Sequence, residues 1–475
     1  MRGTIVTPLI LIAGGAALLV HNLFPEISFF SLVVQNWPYL LIAWGALRAA
    51  EILLRFNQGK PLPARGISGG EWGLIVFLTL SGSAFTFGSN MKNRLWSGEF
   101  GNRGILIFSE SYEFPINAEM ACPAKARVVV DNRRGNVRLV GSDTDKIRVN
   151  GVYKIRALDR TAAEQIYRKL KLDLTTQGEQ VVVRTNQERA ELESSVEANF
   201  EVQMPKGVSV DCQGTYGDFD VNQITGDLEV RSANAGVRAQ DIGGKVRVDL
   251  NRSDIVRLQR VKGTVDIKGA RAGDVELDSI EGTVTVDGAF DSLDFRNITA
   301  LLRFTSRTTD LQVEKILGRV RLSGGELEAD KLSGPVRLRS KSKDVRISGF
   351  DGPIDIDLDR GDIELAPDTA KLAQIQAKTS GGEVTLFLPN DAKFDLTART
   401  EKGEVQNDFG SPLRTEDFER GGMIAGSTGG AKVVLETRRG TLRVSRGGAW
   451  AGRDSAPPLP PLAPKAPAPP TAVER

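Results

Sequence analysis

Ile242-Gly-Gly-Lys-Val-Arg-Val248, Val261-Lys-Gly-Thr-Val-Asp-Ile267 and Ile280-Glu-Gly-Thr-Val-Thr-Val286 are one phrase written three times. An aliphatic residue, a spacer and a small residue lead into two apolar residues at alternate positions. Followed outward, the small residue recurs as Gly226, Gly244, Gly263, Gly282, Ala300, Gly318, Gly334 and Gly352, spaced by 18, 19, 19, 18, 18, 16 and 18. A second apolar pair lies seven and five residues before each small residue, from Phe219/Val221 through Leu311/Val313 to Val345/Ile347. Period-two alternation sends one side chain inward and the next outward. Two inward residues cannot hold a strand alone. Equivalent coils must therefore stack, ~4.8 Å apart, over a shared apolar interior. The pattern predicts a mainly β protein, a parallel β-solenoid with two strands in each coil of about 18 residues. Its glycines are expected at tight corners, with positive φ.

The repeat register runs from 206 to about 447, where Gly382-Glu-Val-Thr-Leu, Arg399-Thr-Glu-Lys-Gly-Glu-Val and Arg438-Arg-Gly-Thr-Leu-Arg-Val continue or close the stack. Before it, 125–205 reads as a small α+β cap that blunts the first coil's edge. Thr161 and Glu164 have capping-box spacing, and Ala162, Ile166 and Leu170 line one face, so a helix is expected over about 161–172. Strands are expected over 180–184 and 196–204. Residues 91–124 read as a linker. Residues 448–475 are too Pro-rich to pack and read as an extended, disordered tail.

The first ninety residues have a different composition. Apolar runs at about 5–24, 29–47 and 72–88 match the lengths of bilayer-spanning helices, and Trp37, Tyr39 and Trp44 suit an interface. Arg48, Arg55, Lys60 and Arg65 follow the second run, which assigns that loop and the N-terminus to the cytoplasm. Three spans then carry everything after Gly88 outside, into the periplasm or the extracellular space. A two-span protein with a cytoplasmic C-terminal domain is the competing topology, because Lys92, Arg94 and Arg103 follow the third run. The integral partner implied is the lipid bilayer.

The balance of 62 basic and 60 acidic residues implies no nucleic-acid partner. The single histidine, His21, lies at the end of an apolar run, so no histidine serves chemistry in the repeat region. Two cysteines, Cys122 and Cys212, do not form a disulfide framework and are read as unpaired thiols. No phosphate loop, zinc spacing or nucleophile motif is present, and no cofactor is expected. Asp355, Asp357 and Asp359 alternate, with Asp362 nearby, a pattern open to Ca²⁺ or to paired carboxylates, but ordinary exposed strand charges give it too.

The outward positions carry the sharper expectation. Arg303, Arg321 and Arg337 fall three residues after successive small residues and should stack on consecutive coils, with Arg339 alongside. Glu276, Asp294, Gln312 and Glu328 should line the other face. Stacked guanidinium groups suit phosphates or carboxylates on a repeating polymer, an anionic envelope glycan or a lipid headgroup. The plain alternative is a solvated face whose charges neighbouring acids offset.

Two resemblances accompany this reading. Leu9-Ile-Leu-Ile-Ala-Gly-Gly, Leu18-Leu-Val-His-Asn-Leu-Phe and Trp37-Pro-Tyr-Leu-Leu-Ile-Ala-Trp-Gly resemble the LiaI-LiaF-like transmembrane region over residues 5 to 54. That resemblance implies an accessory role beside a membrane sensor protein in envelope-stress signalling. Asp131-Asn-Arg-Arg-Gly-Asn-Val, Met204-Pro-Lys-Gly-Val and Thr437-Arg-Arg-Gly-Thr-Leu-Arg-Val, with the coils between them, resemble the bacterial "putative adhesin" solenoid family over about 125–447. That resemblance implies a non-enzymatic surface module and supplies no site residues. A carbohydrate-active enzyme needs convergent acids in a cleft, which the register does not provide.

Overall fold

The computed structural model describes residues 109–190 and 195–447. The three expected spans, the linker up to 108 and the tail from 448 lie outside the described residues, and the rest of the expected linker is largely a strand, Glu110–Ala121. Among the described residues no helix is long and apolar enough to cross a membrane. Residues 111–156, 160–190 and 195–447 belong to one compact unit.

That unit is a stack of coils, each contributing one strand to either of two ladders. In the first ladder Val246 lies opposite Val265, and Val265 opposite Val284. In the second, Val256 pairs with Val275 and Val275 with Leu293. A third apolar column, Ile224, Ile242, Val261, Ile280 and Ile298, runs up one corner. All of these side chains are buried. Residues 246–261 and 265–280 are single extended segments that bend round the coil and serve both ladders. Each fully buried aliphatic is worth roughly 1.5–3 kcal/mol, so the interior columns dominate stability.

The corners meet the expectation in part: Gly334 adopts φ 80°. Gly226, Gly244, Gly263 and Gly282 do not adopt left-handed φ. They are glycine because of close approach: a Cβ on Gly263 would lie 2.2 Å from the Gly244 carbonyl oxygen, and one on Gly282 would lie 2.3 Å from that of Gly263. The left-handed residues other than glycine stand just before the corner aliphatics. They are Gln223, Asp241, Arg260, Ser279, Asn297 and Lys331, with φ between 51° and 61°.

The parallel expectation fails for one inner coil and again at the far end, where Gly422–Ser427 lies antiparallel to Phe394–Lys402. After Leu302–Thr305 the chain turns back, and Thr309–Ser323 runs antiparallel to the coil before it and the coil after it. Leu311 and Val313 therefore join the first ladder, opposite Phe304 and Leu302. Val320 and Leu322 join the second, opposite Phe295 and Leu293. A second turn, Ser323-Gly-Gly-Glu326, restores the original direction, and parallel pairing with the following coil resumes at Glu326. Lys343, only 4% exposed, donates its ammonium to the Ser323 and Gly324 carbonyls and so satisfies this turn.

Both ends of the stack are built out of sequence order. Residues 127–131 lie between 180–184 and 209–213 in the first ladder, and 137–140 lie between 200–203 and 219–222 in the second. At the far end, 431–446 is inserted between the coil of 375–388 and the outermost coil of 394–407. The stretch Gly422–Ser427 then covers the edge of Phe394–Lys402. At the near end Gln187 acts as a substitute strand, its side-chain amide bonding both the N–H and the carbonyl of Arg134. The helix is Arg160–Tyr167, shorter than expected, and Ala163 and the following Leu170 are buried. Cys122 and Cys212 are both buried free thiols.

Candidate functional site

One outward column of the first ladder alternates in charge, whereas on the second ladder Arg238 faces Arg257 and Glu276 faces Asp294. In the first ladder, Arg231, Asp249, Lys268 and Asp287 follow one another on successive coils. Beyond the reversed coil come Arg339, Asp357, Lys378, Glu436 and Arg399. Opposite charges facing each other across strands stabilise a sheet, and like charges there destabilise it. The ladder is thus largely self-neutralised. The buried Asp211, held by Arg127 and Arg231 at 2.9 Å each, is its most enclosed ion pair.

The four candidate arginines do not make the expected stripe. The reversal moves Arg321 to the second ladder, opposite Asp294 and Glu328, where it pairs with Glu328 at 3.5 Å. Arg303 and Arg337 share a column in the first ladder, with Gln312 between them. Arg337 lies 3.5 Å from Asp355. Arg339 donates to Asp355 at 2.7 Å, and this hydrogen bond, against the opposing effect of burial, raises its already high pKa further. Asp355 and Asp357 are thereby tied into the ladder rather than gathered round a cation. Among the described residues no cluster of His, Cys, Asp or Glu is placed to hold a metal ion. The expected acidic face is likewise broken, because Arg321 separates Asp294 from Glu328 and Gln312 lies on the opposite ladder.

The reversal creates two features that the sequence reading missed. On the second ladder Arg319 grips Asp294 through two bonds of 2.6 and 2.7 Å, with Arg296 on the same carboxylate. Burial pushes the Asp294 pKa up, but the hydrogen bonds and charges of Arg319 and Arg296 outweigh it and hold it below the usual carboxylate value. On the first ladder the Ser306–Thr309 turn edges an open cleft of about 310 Å³. Arg307, Asp310, Arg339, Lys341, Asp357 and Asp359 supply its charges, and Ser306 and Thr308 its hydroxyls. Arg303, Arg307 and Lys341 make no ion pair among the described residues. The signal for the turn was Thr305-Ser-Arg-Thr-Thr309, a polar run between two apolar pairs.

Three solved structures align with this chain over 70% of its length. One is a "putative cell adhesion protein" from Clostridium sporogenes, covered completely at 9% identity with a TM-score of 0.16. From Parabacteroides distasonis come a "putative lipid binding protein", 95% covered at 10% identity and TM-score 0.20, and a "putative adhesin", 97% covered at 9% identity and TM-score 0.16. Likeness this slight bears on neither fold nor function. No similar sequence is found among curated proteins. Residues 126–445, the solenoid together with its N-terminal cap, match the Toastrack DUF4097 family. The chain belongs to the Toastrack DUF4097 family.

Proposed function

We propose that this chain is a membrane-anchored, non-enzymatic protein of the bacterial cell envelope. Its solenoid stands outside the cytoplasm and offers the first ladder as a binding face for an anionic envelope polymer. The observation that carries this reading is the column of Arg303 and Arg337, continued at its rim by Arg307 and Lys341. In this stretch of the first ladder Arg303, Arg307 and Lys341 make no ion pair among the described residues, and Arg337 lies 3.5 Å from Asp355. The self-neutralised remainder contributes rigidity rather than affinity. Arg321 leaves the set, because it lies on the other ladder.

The test uses the full chain in lipid nanodiscs. Arg303→Ala combined with Arg337→Ala should weaken polyanion retention several-fold and flatten its dependence on salt. Unchanged, salt-insensitive retention dismisses the proposal. A second reading rests on the likeness of residues 5–54 to the LiaI-LiaF-like region: the membrane segment contacts a sensor protein and the solenoid reports envelope state. Deleting that segment should abolish a signalling response under this reading, whereas a binding module would merely be released.

A further inference from the structure

We propose that the cleft at the Ser306–Thr309 turn is a subsite for one sugar unit bearing a carboxylate, a uronic acid residue of a glycan chain. The proposal rests on the reading that this face meets an anionic polymer, and it specifies the polymer's chemistry.

Asp310 is the starting point. It lies in the first ladder between Thr305 and Arg339. Its Oδ1 is shielded from solvent and accepts no hydrogen bond from the protein. The neighbouring guanidinium does not serve it, because Arg339 directs its N–H groups to the Asp355 carboxylate and to the Leu338 and Asp355 carbonyls. Asp310 nonetheless lines the cleft, and a buried carboxylate oxygen left without a donor favours any side-chain rotation that turns it toward hydroxyl groups entering there.

The lining decides between ligand classes. Arg307, Arg339 and Lys341 stand against Asp310, Asp357 and Asp359, with the Ser306 and Thr308 hydroxyls among them. Three carboxylates repel a phosphate chain, which brings charge but few donors. A uronate brings both kinds of group. Its carboxylate suits Arg307 and Lys341, which have no ion-pair partner among the described residues, and its ring hydroxyls can donate to Asp310, Asp357 and Asp359. The reversed coil builds this site. In an uninterrupted stack the position beyond Thr305 would continue into the next corner, and no turn would project over the ladder.

The experiment measures binding of polygalacturonate and of polyphosphate to the full chain in nanodiscs at one ionic strength. The parent should prefer polygalacturonate by about tenfold, since a site with unpaired acceptors discriminates against a ligand lacking donors. Asp310→Ala should remove most of that preference, weakening polygalacturonate while leaving polyphosphate equal or tighter. Arg307→Gln with Lys341→Gln should weaken both. Asp310→Asn replaces the alanine variant if the latter shifts the unfolding midpoint. Equal binding of both polymers in the parent overturns the uronate subsite and leaves the polyanion reading standing. So does an Asp310 variant with no effect on the preference. Binding of neither polymer overturns both.

Discussion

Between Leu228 and Thr305 the coils repeat in one direction and one register. Between Thr309 and Ser323 the same kind of sequence runs the other way. The interior hardly registers the difference, because Leu311, Val313, Val320 and Leu322 are as buried as their neighbours. The exterior registers it fully. Glycine stacked directly on glycine and the left-handed residues before the corner aliphatics belong to the parallel block. The reversed coil replaces them with two turns, a three-residue ion cluster and an open cleft. An apolar interior specifies which residues face inward, whereas polar details specify direction.

Gly263→Ala tests the parallel block most severely. Its Cβ would meet the backbone of the coil beneath, which cannot yield without shifting both coils. We expect a loss of about 3 kcal/mol, read as a lowered urea midpoint. An unchanged midpoint would break the contrast, since glycine would then be incidental there.

Arg319→Met tests the reversed coil. It leaves Asp294 half buried with Arg296 as its remaining partner, and a cost of about 2 kcal/mol is expected at neutral pH. The folded pKa of Asp294 is depressed, so its stabilisation is complete above the ordinary carboxylate range and disappears as pH falls through the folded value. The gap between parent and variant should therefore narrow below about pH 4. A gap independent of pH would assign Arg319 to packing instead.

Smaller effects sharpen the boundary. Lys331, where the left-handed column resumes, has φ 52°. Lys331→Val should cost about 1–2 kcal/mol, whereas Lys331→Gly should change stability by less than about 1 kcal/mol. Gly324, at the second turn, has nothing near its would-be Cβ. Gly324→Ala should move the unfolding midpoint by no more than about 0.5 kcal/mol. Equal losses at Gly324 and Gly263 would erase the distinction between turn and corner.

The stacking of coils was legible because burial recurs at fixed intervals. The reversal was not, because in–out alternation reads the same forward and backward. Leu311/Val313 and Val320/Leu322 fit either direction and either ladder. Two local signs were present: Gly324-Gly325 between apolar runs is a hairpin signal, and the spacing shortens to 16 between Gly318 and Gly334. The arginine stripe failed for the same reason, since Arg321 followed the reversed strand to the other side. The out-of-order ends were also illegible. Thr437-Arg-Arg-Gly-Thr-Leu-Arg-Val carries the signature of any coil, and only its pairing reveals that it lies inside the stack.

That inserted coil constrains how the chain can be completed as it emerges from a ribosome. Residues 394–407 are made first, yet their place lies beyond a layer not yet synthesised. Until 431–446 arrives, the strand edges of 375–388 remain open or hold 394–407 provisionally, and open edges invite pairing with other chains. Closure is thus a late event, and a protein truncated before residue 431 would keep a growing edge where the finished molecule has an interior.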